Sequence, residues 1–334
     1  MSIFTIECRK PGLFLPKLGL WLDAHRVVDG LVFVSHAHSD HIARHREVIL
    51  TQATSRLMRL RLRGKRREHV LEFSETREFK SGDVPFRITL LPAGHILGSA
   101  MALIESEGDT LLYTGDFKLR PGLAAEQCEP QGADTLVMES TFGRPAYVFP
   151  PDEIVWGQIA DFCRETVDQC ATPILLAYSL GKSQEIMLGL KREGFQFGLH
   201  EQAYRVTKTY EGLGVTFPRY EQQSDRPLPG RVLIWPPGAS RLRSINQIGP
   251  VRTAVITGWA LDSSCRYRYG ADAAFPIGDH AGYPDLMEMV KRVAPRKVWT
   301  THGFAAEFAD RLRQLGVDAS ALGEPDQLSL SLGV

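Results

Sequence analysis

The sequence predicts an α/β protein built in two parts. Up to about residue 140 it shows short apolar runs separated by turns, with few helical stretches. From about residue 150 helical and strand patterns alternate one for one, and such βα alternation implies a parallel sheet with helices on its faces. A third observation joins the parts: strand ends bearing histidines occur early in the chain and again after residue 276. The alternating segment therefore interrupts a chain that returns to where it began.

The elements can be justified in order. "LVFVS" (31 to 35) is a β-branched and aromatic run that reads as a buried strand. It ends in "VSHAHSDHIARH", which places four histidines and an aspartate in twelve positions. His36 and His38 are two apart on extended chain and face one side, while Asp40 and His41 turn toward a second position as the chain is expected to enter a helix. One catalytic ion takes three protein ligands and keeps an open position, so this set suggests two adjacent ions, each completed from elsewhere.

Further ligands should then lie at other strand ends, and candidates are present. "FRITLLPAGHILGSA" runs into Gly94-His95, and "DTLLYTGDF" into Gly115-Asp116. Both place glycine before the candidate, as expected where the backbone bends closely around a site. "FPIGDHAGY" carries His280, and a strand over 297 to 300 delivers His302. The remaining histidines, His25, His45, His69 and His200, lie in polar surroundings and read as exposed or capping residues.

The second part reads as a helix near 152 to 169, the strand "PILLAY", a helix from Lys182, the strand "FQFGLH" and another helix, ending near "RTAVITGWA". "YSLGK" sits at a strand-to-helix turn, where backbone N–H groups suit an anion. Ser179 and Lys182 are candidates to hold a terminal phosphate there, against the plainer roles of a cap and a solvent-facing cation. "EQQSDRPLPGR" (221 to 231) is the most linker-like piece.

A chain of 334 residues that is 43% hydrophobic can bury a large core. Neither a membrane-length apolar run nor a signal-peptide pattern is found, so a soluble cytoplasmic protein is expected, with no membrane partner. Five cysteines without CxxC spacing argue against a disulfide framework or a cysteine zinc site. Net charge is zero, so a polyanion partner would have to be met locally. Seven of the twelve residues from Arg56 to Arg67 are basic, which suits either an amphipathic helix with a solvated face or a phosphate-tracking patch. In "CRYRYG" (265 to 270) Arg266 and Arg268 interleave with tyrosines, as in an alternating strand or a single-strand binding surface.

Taken together, these motifs resemble the metallo-β-lactamase-fold hydrolases. "HAHSDH", Gly94-His95 and "TGDF" look like that family's successive ligand motifs. "ESTFG" (139 to 143), "PIGDHAGY" (276 to 283) and "TTHG" (300 to 303) look like motifs A, B and C of its β-CASP branch of DNA and RNA nucleases. "LLAYSLGKSQEI" (175 to 186) is similar to a segment of the inserted β-CASP domain, and the compact whole is most similar to the bacterial ligase-associated DNA exonucleases, relatives of the Artemis type.

The resemblance implies a metallo-β-lactamase αββα sandwich in two pieces, residues 1–148 and 271–334, with an inserted β-CASP α/β domain over 149–270 and the substrate cleft between domains. It implies two divalent ions, zinc or manganese. His36, His38 and His95 would hold the first, Asp40, His41 and His302 the second, with Asp116 bridging. Asp40 would also orient the attacking hydroxide, His280 would act as general acid or as a donor to the scissile phosphate, and Glu139 would fix an imidazole. The activity implied is 5′ to 3′ exonucleolytic hydrolysis of single-stranded DNA in repair, alongside a ligase or helicase system. RNA processing is the alternative, because histidine at position 302 is the form associated with RNA-acting members. A small-molecule hydrolase would share the first motifs but lack the insert and motifs A to C.

Overall fold

The computed structural model describes residues 3–223, 230–238 and 248–323. The linker-like piece therefore lies partly outside the described residues, at 224–229. In chain order the first elements are β1 (Glu7–Arg9), β2 (Gly12–Leu15), β3 (Leu20–Leu22), β4 (Leu31–Phe33), β5 (Glu47–Leu50), α1 (Gln52–Arg61) and β6 (Arg67–Val70). There follow β7 (Thr76–Phe79), β8 (Phe86–Pro92), β9 (Ala100–Ser106), β10 (Asp109–Tyr113) and β11 (Thr135–Glu139). The alternating part holds α2 (Asp152–Asp168), β12 (Thr172–Leu176), α3 (Lys182–Gly189), β13 (Phe197–Leu199), α4 (Glu201–Glu211), β14 (Tyr220–Gln222), β15 (Val232–Trp235), β16 (Val251–Ile256), α5 (Cys265–Tyr269) and β17 (Ala273–Phe275). The chain closes with α6 (Tyr283–Val293), β18 (Lys297–Thr301), α7 (Ala305–Gln314) and β19 (Ala319–Ala321).

These elements form two compact units. One runs from the N-terminus to Tyr147 and resumes at His280; the other is Val148–Asp279. The return comes later than residue 270 because β17 is still needed as an edge strand, parallel to β16.

The first unit has two sheets, β1 to β6 in sequential order and β19-β18-β11-β10-β9-β8-β7. In the second of these, Ala102 and Ile104 face one way and Leu103 the other, as the two-residue period of a strand requires. Ala102 and Ile104 join Leu13, Leu20, Phe33 and Ile49 in a core between the sheets. Leu103 joins Leu286, Met289, Phe308 and Leu312, so α6 and α7 cover the outer face. Each such fully buried aliphatic or aromatic side chain contributes about 1.5–3 kcal/mol. This is the two-sheet sandwich that the resemblance implies. In the second unit every paired strand of β14-β13-β15-β12-β16-β17 is parallel. Residues of α2 and α3 pack on one face of that sheet.

Two local expectations are corrected. After His41 the chain does not enter a helix: residues 42–45 are irregular and β5 follows, with α1 starting only at Gln52. Residues 265 to 269 form a short helix rather than an alternating strand, because Gly270 terminates it in the left-handed region at φ 60°. Among the described residues no helix is long and apolar enough to cross a membrane.

Candidate active site

The site is assembled from the ends of β3, β4, β8, β10, β11 and β18. The segment after β4 brings His36, fully buried, and His38, half-buried, together with His36 Nε2 at 3.0 Å from His38 Nδ1. β8 delivers His95, whose Nε2 lies 3.0 Å from His38 Nδ1. β10 delivers Asp116, with Oδ2 at 3.4 Å from His36 Nε2 and 3.3 Å from His41 Nε2. The ligand atoms of His36, His38, His95 and Asp116 all lie within 4.8 Å of one another, and those of Asp116, Glu139 and His280 do so as well. Asp116 thus belongs to both groups.

Three imidazoles and a carboxylate at such spacing are a donor set suited to zinc or manganese, and this fit is the test of the expected metal. The remaining expected ligands are placed differently. His41 is buried against Asp116, but the Asp40 side chain is 61% exposed, 3.8 Å from His41 Nε2. His302 is exposed, its ring centroid 5.8 Å from that of His41.

Backbone geometry explains why glycine precedes two of these ligands. Gly94 has φ 76°, and a Cβ there would meet the Lys118 carbonyl oxygen at 2.4 Å. Gly115 has φ 53°, and a Cβ would meet the Ser35 side chain at 2.6 Å. The turn after His95 is held as well. Ser99 Oγ accepts the His95 and Ile96 N–H groups at 3.1 and 3.2 Å. Gly98 donates its N–H to Glu126 at 2.8 Å, and its carbonyl accepts the hydroxyls of Thr51 and Thr54 at 2.7 and 3.0 Å.

Glu139 lies against the His280 imidazole. Both carboxylate oxygens lie 3.0 Å from His280 Nδ1. Oε1 accepts the Phe117 N–H at 2.7 Å, and Oε2 the Thr141 hydroxyl at 2.5 Å. Such bonding fixes the ring's orientation and tautomer.

Sequence reasoning missed Asp23. Its carboxylate accepts the Ser35 N–H at 2.7 Å, the Ser35 hydroxyl at 2.5 Å and the Tyr113 hydroxyl at 2.8 Å, and lies 2.9 Å from His41 Nδ1. It ends the apolar run "LWL" at φ 46°, the left-handed region that aspartate tolerates. An aspartate closing a strand, as Asp116 does, was the available signal.

Electrostatics follow from this crowding. Burial, then the neighbouring His41, pushes His36 well below its usual value, so a neutral imidazole is favoured. For His41 burial acts downward, but Asp116 and then Asp23 outweigh it and hold the ring well above its usual value. Burial would raise Asp116, yet His41 and then His280 hold it well below the ordinary carboxylate range. Tyr113 is pushed well up by burial and by Asp23.

The residues expected at a terminal phosphate divide. Ser179 is 7% exposed and its Oγ has no hydrogen-bond partner. Lys182 does not face solvent: it is 1% exposed, donating from Nζ to the Ile277 carbonyl at 2.7 Å and lying 3.5 Å from Asp279. Arg266 stacks over Tyr267 at 4.5 Å, and Arg268 pairs with Asp262 at 3.1 Å. Of the other histidines, His45 is buried rather than exposed, 2.7 Å from the Ala24 carbonyl, while His200 caps α4.

Comparison with known proteins accords with this geometry. Residues 278–322 match a family model described as the Zn-dependent metallo-hydrolase RNA specificity domain. The chain is 48% identical to a probable DNA ligase of Opitutus terrae, over 96% of this chain but 31% of the relative. It is 26% identical to the 5′ exonuclease Apollo of Gallus gallus, over 90% of this chain and 65% of that one. The chain resembles the β-CASP branch of the metallo-β-lactamase-fold hydrolases. It also shares its fold with a crystal structure of a protein of unknown function from Enterococcus faecalis V583, at TM-score 0.58 and 13% identity, over 89% of this chain and 80% of that one.

Proposed function

We propose that this protein is a metal-dependent nuclease that hydrolyses DNA from its 5′ end, in the manner of the ligase-associated exonucleases. The observation that carries this is Asp116, one buried carboxylate whose Oδ2 lies 3.4 Å from His36 Nε2 and 3.3 Å from His41 Nε2. We read it as shared between the seats of two divalent ions, zinc or manganese, with His36, His38 and His95 at the first. His41, Asp40 and His302 serve the second, Asp40 and His302 closing in from the rim. Ions bound there supply water activation and neutralisation of phosphodiester charge.

The chain's own residues do the rest. With Nδ1 held by Glu139, His280 keeps Nε2 as the atom that protonates the leaving oxygen. Asp23 plays the same orienting part for His41. The neutral state favoured for His36 leaves its Nε2 lone pair to a metal. For 5′ polarity the support is Ser179, whose buried, unbonded hydroxyl a terminal phosphate would satisfy. Lys182 then acts by holding Ile277–Asp279 rather than by touching substrate. Arg266 and Arg268 would contact the strand more weakly.

The relatives' names support a DNA substrate in repair and a ligase context. The matched domain's description favours a second reading, RNA. The test is cleavage of matched single-stranded DNA and RNA oligonucleotides, labelled at either end, with 5′-phosphate or 5′-hydroxyl, in manganese and in zinc. Stepwise release of mononucleotides from 5′-phosphorylated DNA supports the proposal. Internal cuts confined to RNA would replace it with the second reading.

A further inference from the structure

The basic run from Arg56 to Arg67 takes no part in the site described above, and the structure sorts its charges. Arg59 pairs with Glu68 at 2.5 Å. Arg66 pairs with Glu68 at 3.3 Å and also donates to the Leu62 carbonyl. Arg67 pairs with Glu47 at 3.3 Å. Among the described residues no ion pair joins Arg61, Arg63 or Lys65 to a carboxylate, and all three are exposed. α1 buries Ala53, Leu57 and Met58 on its other side, so this end of the helix is anchored.

We propose that Arg61, Arg63 and Lys65, at the end of α1 and in the turn after it, form a cationic track that holds the phosphodiester backbone of a nucleic-acid strand. This rests on the nuclease reading above. Two arguments carry it. First, uncompensated cations close together repel one another, a cost to folding that a polyanion relieves. The neighbouring arginines with carboxylate partners show what an ordinary solvated face looks like in this same segment. Second, the chain at Leu62 is extended, with φ −120° and ψ 99°. Arg61 and Arg63 therefore stand about 6–7 Å apart at Cα, a step comparable with that between successive phosphates.

The occupant is set by charge complementarity. A repeating array of monoanions matches three point cations without reading bases, so the track adds affinity independent of sequence.

The test is fluorescence anisotropy of a labelled single-stranded oligodeoxynucleotide in EDTA, so that no cleavage intervenes, across a salt series. Arg61→Gln/Arg63→Gln/Lys65→Gln together should weaken binding roughly tenfold or more at low salt. They should also lower the slope of log affinity against log salt by about two, since each contact with a single strand contributes about 0.7. Arg59→Gln, whose partner is Glu68, should leave the slope unchanged. Equal slopes for the triple variant and wild type, or no binding by wild type, overturn the track. Should the triple variant melt early, Arg63→Glu alone decides: weaker binding supports the track and unchanged binding sinks it. Hydrolysis of bis(p-nitrophenyl) phosphate by the metal-loaded wild type reads the cluster without α1. Its absence beside intact binding overturns the nuclease reading while sparing the track.

Discussion

His41 Nδ1 lies 2.9 Å from Asp23 Oδ2, and the other ring nitrogen of His41 faces Asp116 at 3.3 Å. One imidazole is therefore clamped between a carboxylate that orients it and one that shares its proposed ion. Asp23→Asn should keep the shape but lose the charge that fixes the tautomer. Metal affinity should fall about 10–100-fold, and elemental analysis after dialysis should show the loss mainly at one ion per chain. Equal loss at both positions would mean that Asp23 supports the whole cluster rather than His41.

Asp116→Ala or His38→Ala should abolish cleavage with little change in nucleic-acid affinity, because backbone phosphates supply most of the binding. Treatment of wild type with a chelator should do the same, and manganese or zinc should restore it. Parallel cleavage and filter-binding assays would separate the two effects.

His280→Ala should slow cleavage by about 10²–10⁴-fold, the range of general acid catalysis, with metal content near wild type. Glu139 and His280 lie within ligand distance of Asp116. If the variant instead emptied a metal position, His280 would be a ligand and the assignment of roles would be reversed.

Glu126 carries a pH signature. Burial raises its carboxyl above the usual value, and the Gly98 N–H acts in the opposite direction. With a folded value above the unfolded one, the ionised carboxylate costs stability, and that cost disappears as pH falls through the folded value. Glu126→Gln, which can still accept from Gly98, should raise the melting temperature at neutral pH and flatten its rise toward acid. Glu126→Ala leaves the Gly98 N–H without that acceptor and should cost about 1–3 kcal/mol. Melting curves between pH 4 and 8 would decide between these outcomes and a merely exposed carboxylate.

Much of the site was legible because its ligands close strands that announce themselves. The apolar runs before His36, His95, Asp116 and His302 all fold as strands. Asp23 was invisible because a single aspartate after "LWL" looks like any strand terminator, and its three partner residues, Ser35, His41 and Tyr113, lie 12 or more positions away. The stretch 265 to 269 misled because its alternation of arginine and tyrosine satisfies a strand's period. Asp262, which accepts the Ser264 N–H at 2.9 Å, and Gly270 bound a helical turn instead. Lys182 misled because a cation at a helix start suggests an anion, whereas here a carbonyl and an aspartate of the same unit occupy it.

The order of β19-β18-β11 in the larger sheet of the first unit also constrains how the protein is made. Glu139 at the end of β11 pairs in register with Thr301 at the end of β18. As the chain leaves the ribosome, the whole inserted unit must be translated before β11 meets its neighbour. Until then one side of β11 stays open, an edge of the kind that recruits stray strands. His280 and His302 also emerge last, so a nascent chain cannot complete the proposed catalytic centre until nearly all of the described fold has been synthesised.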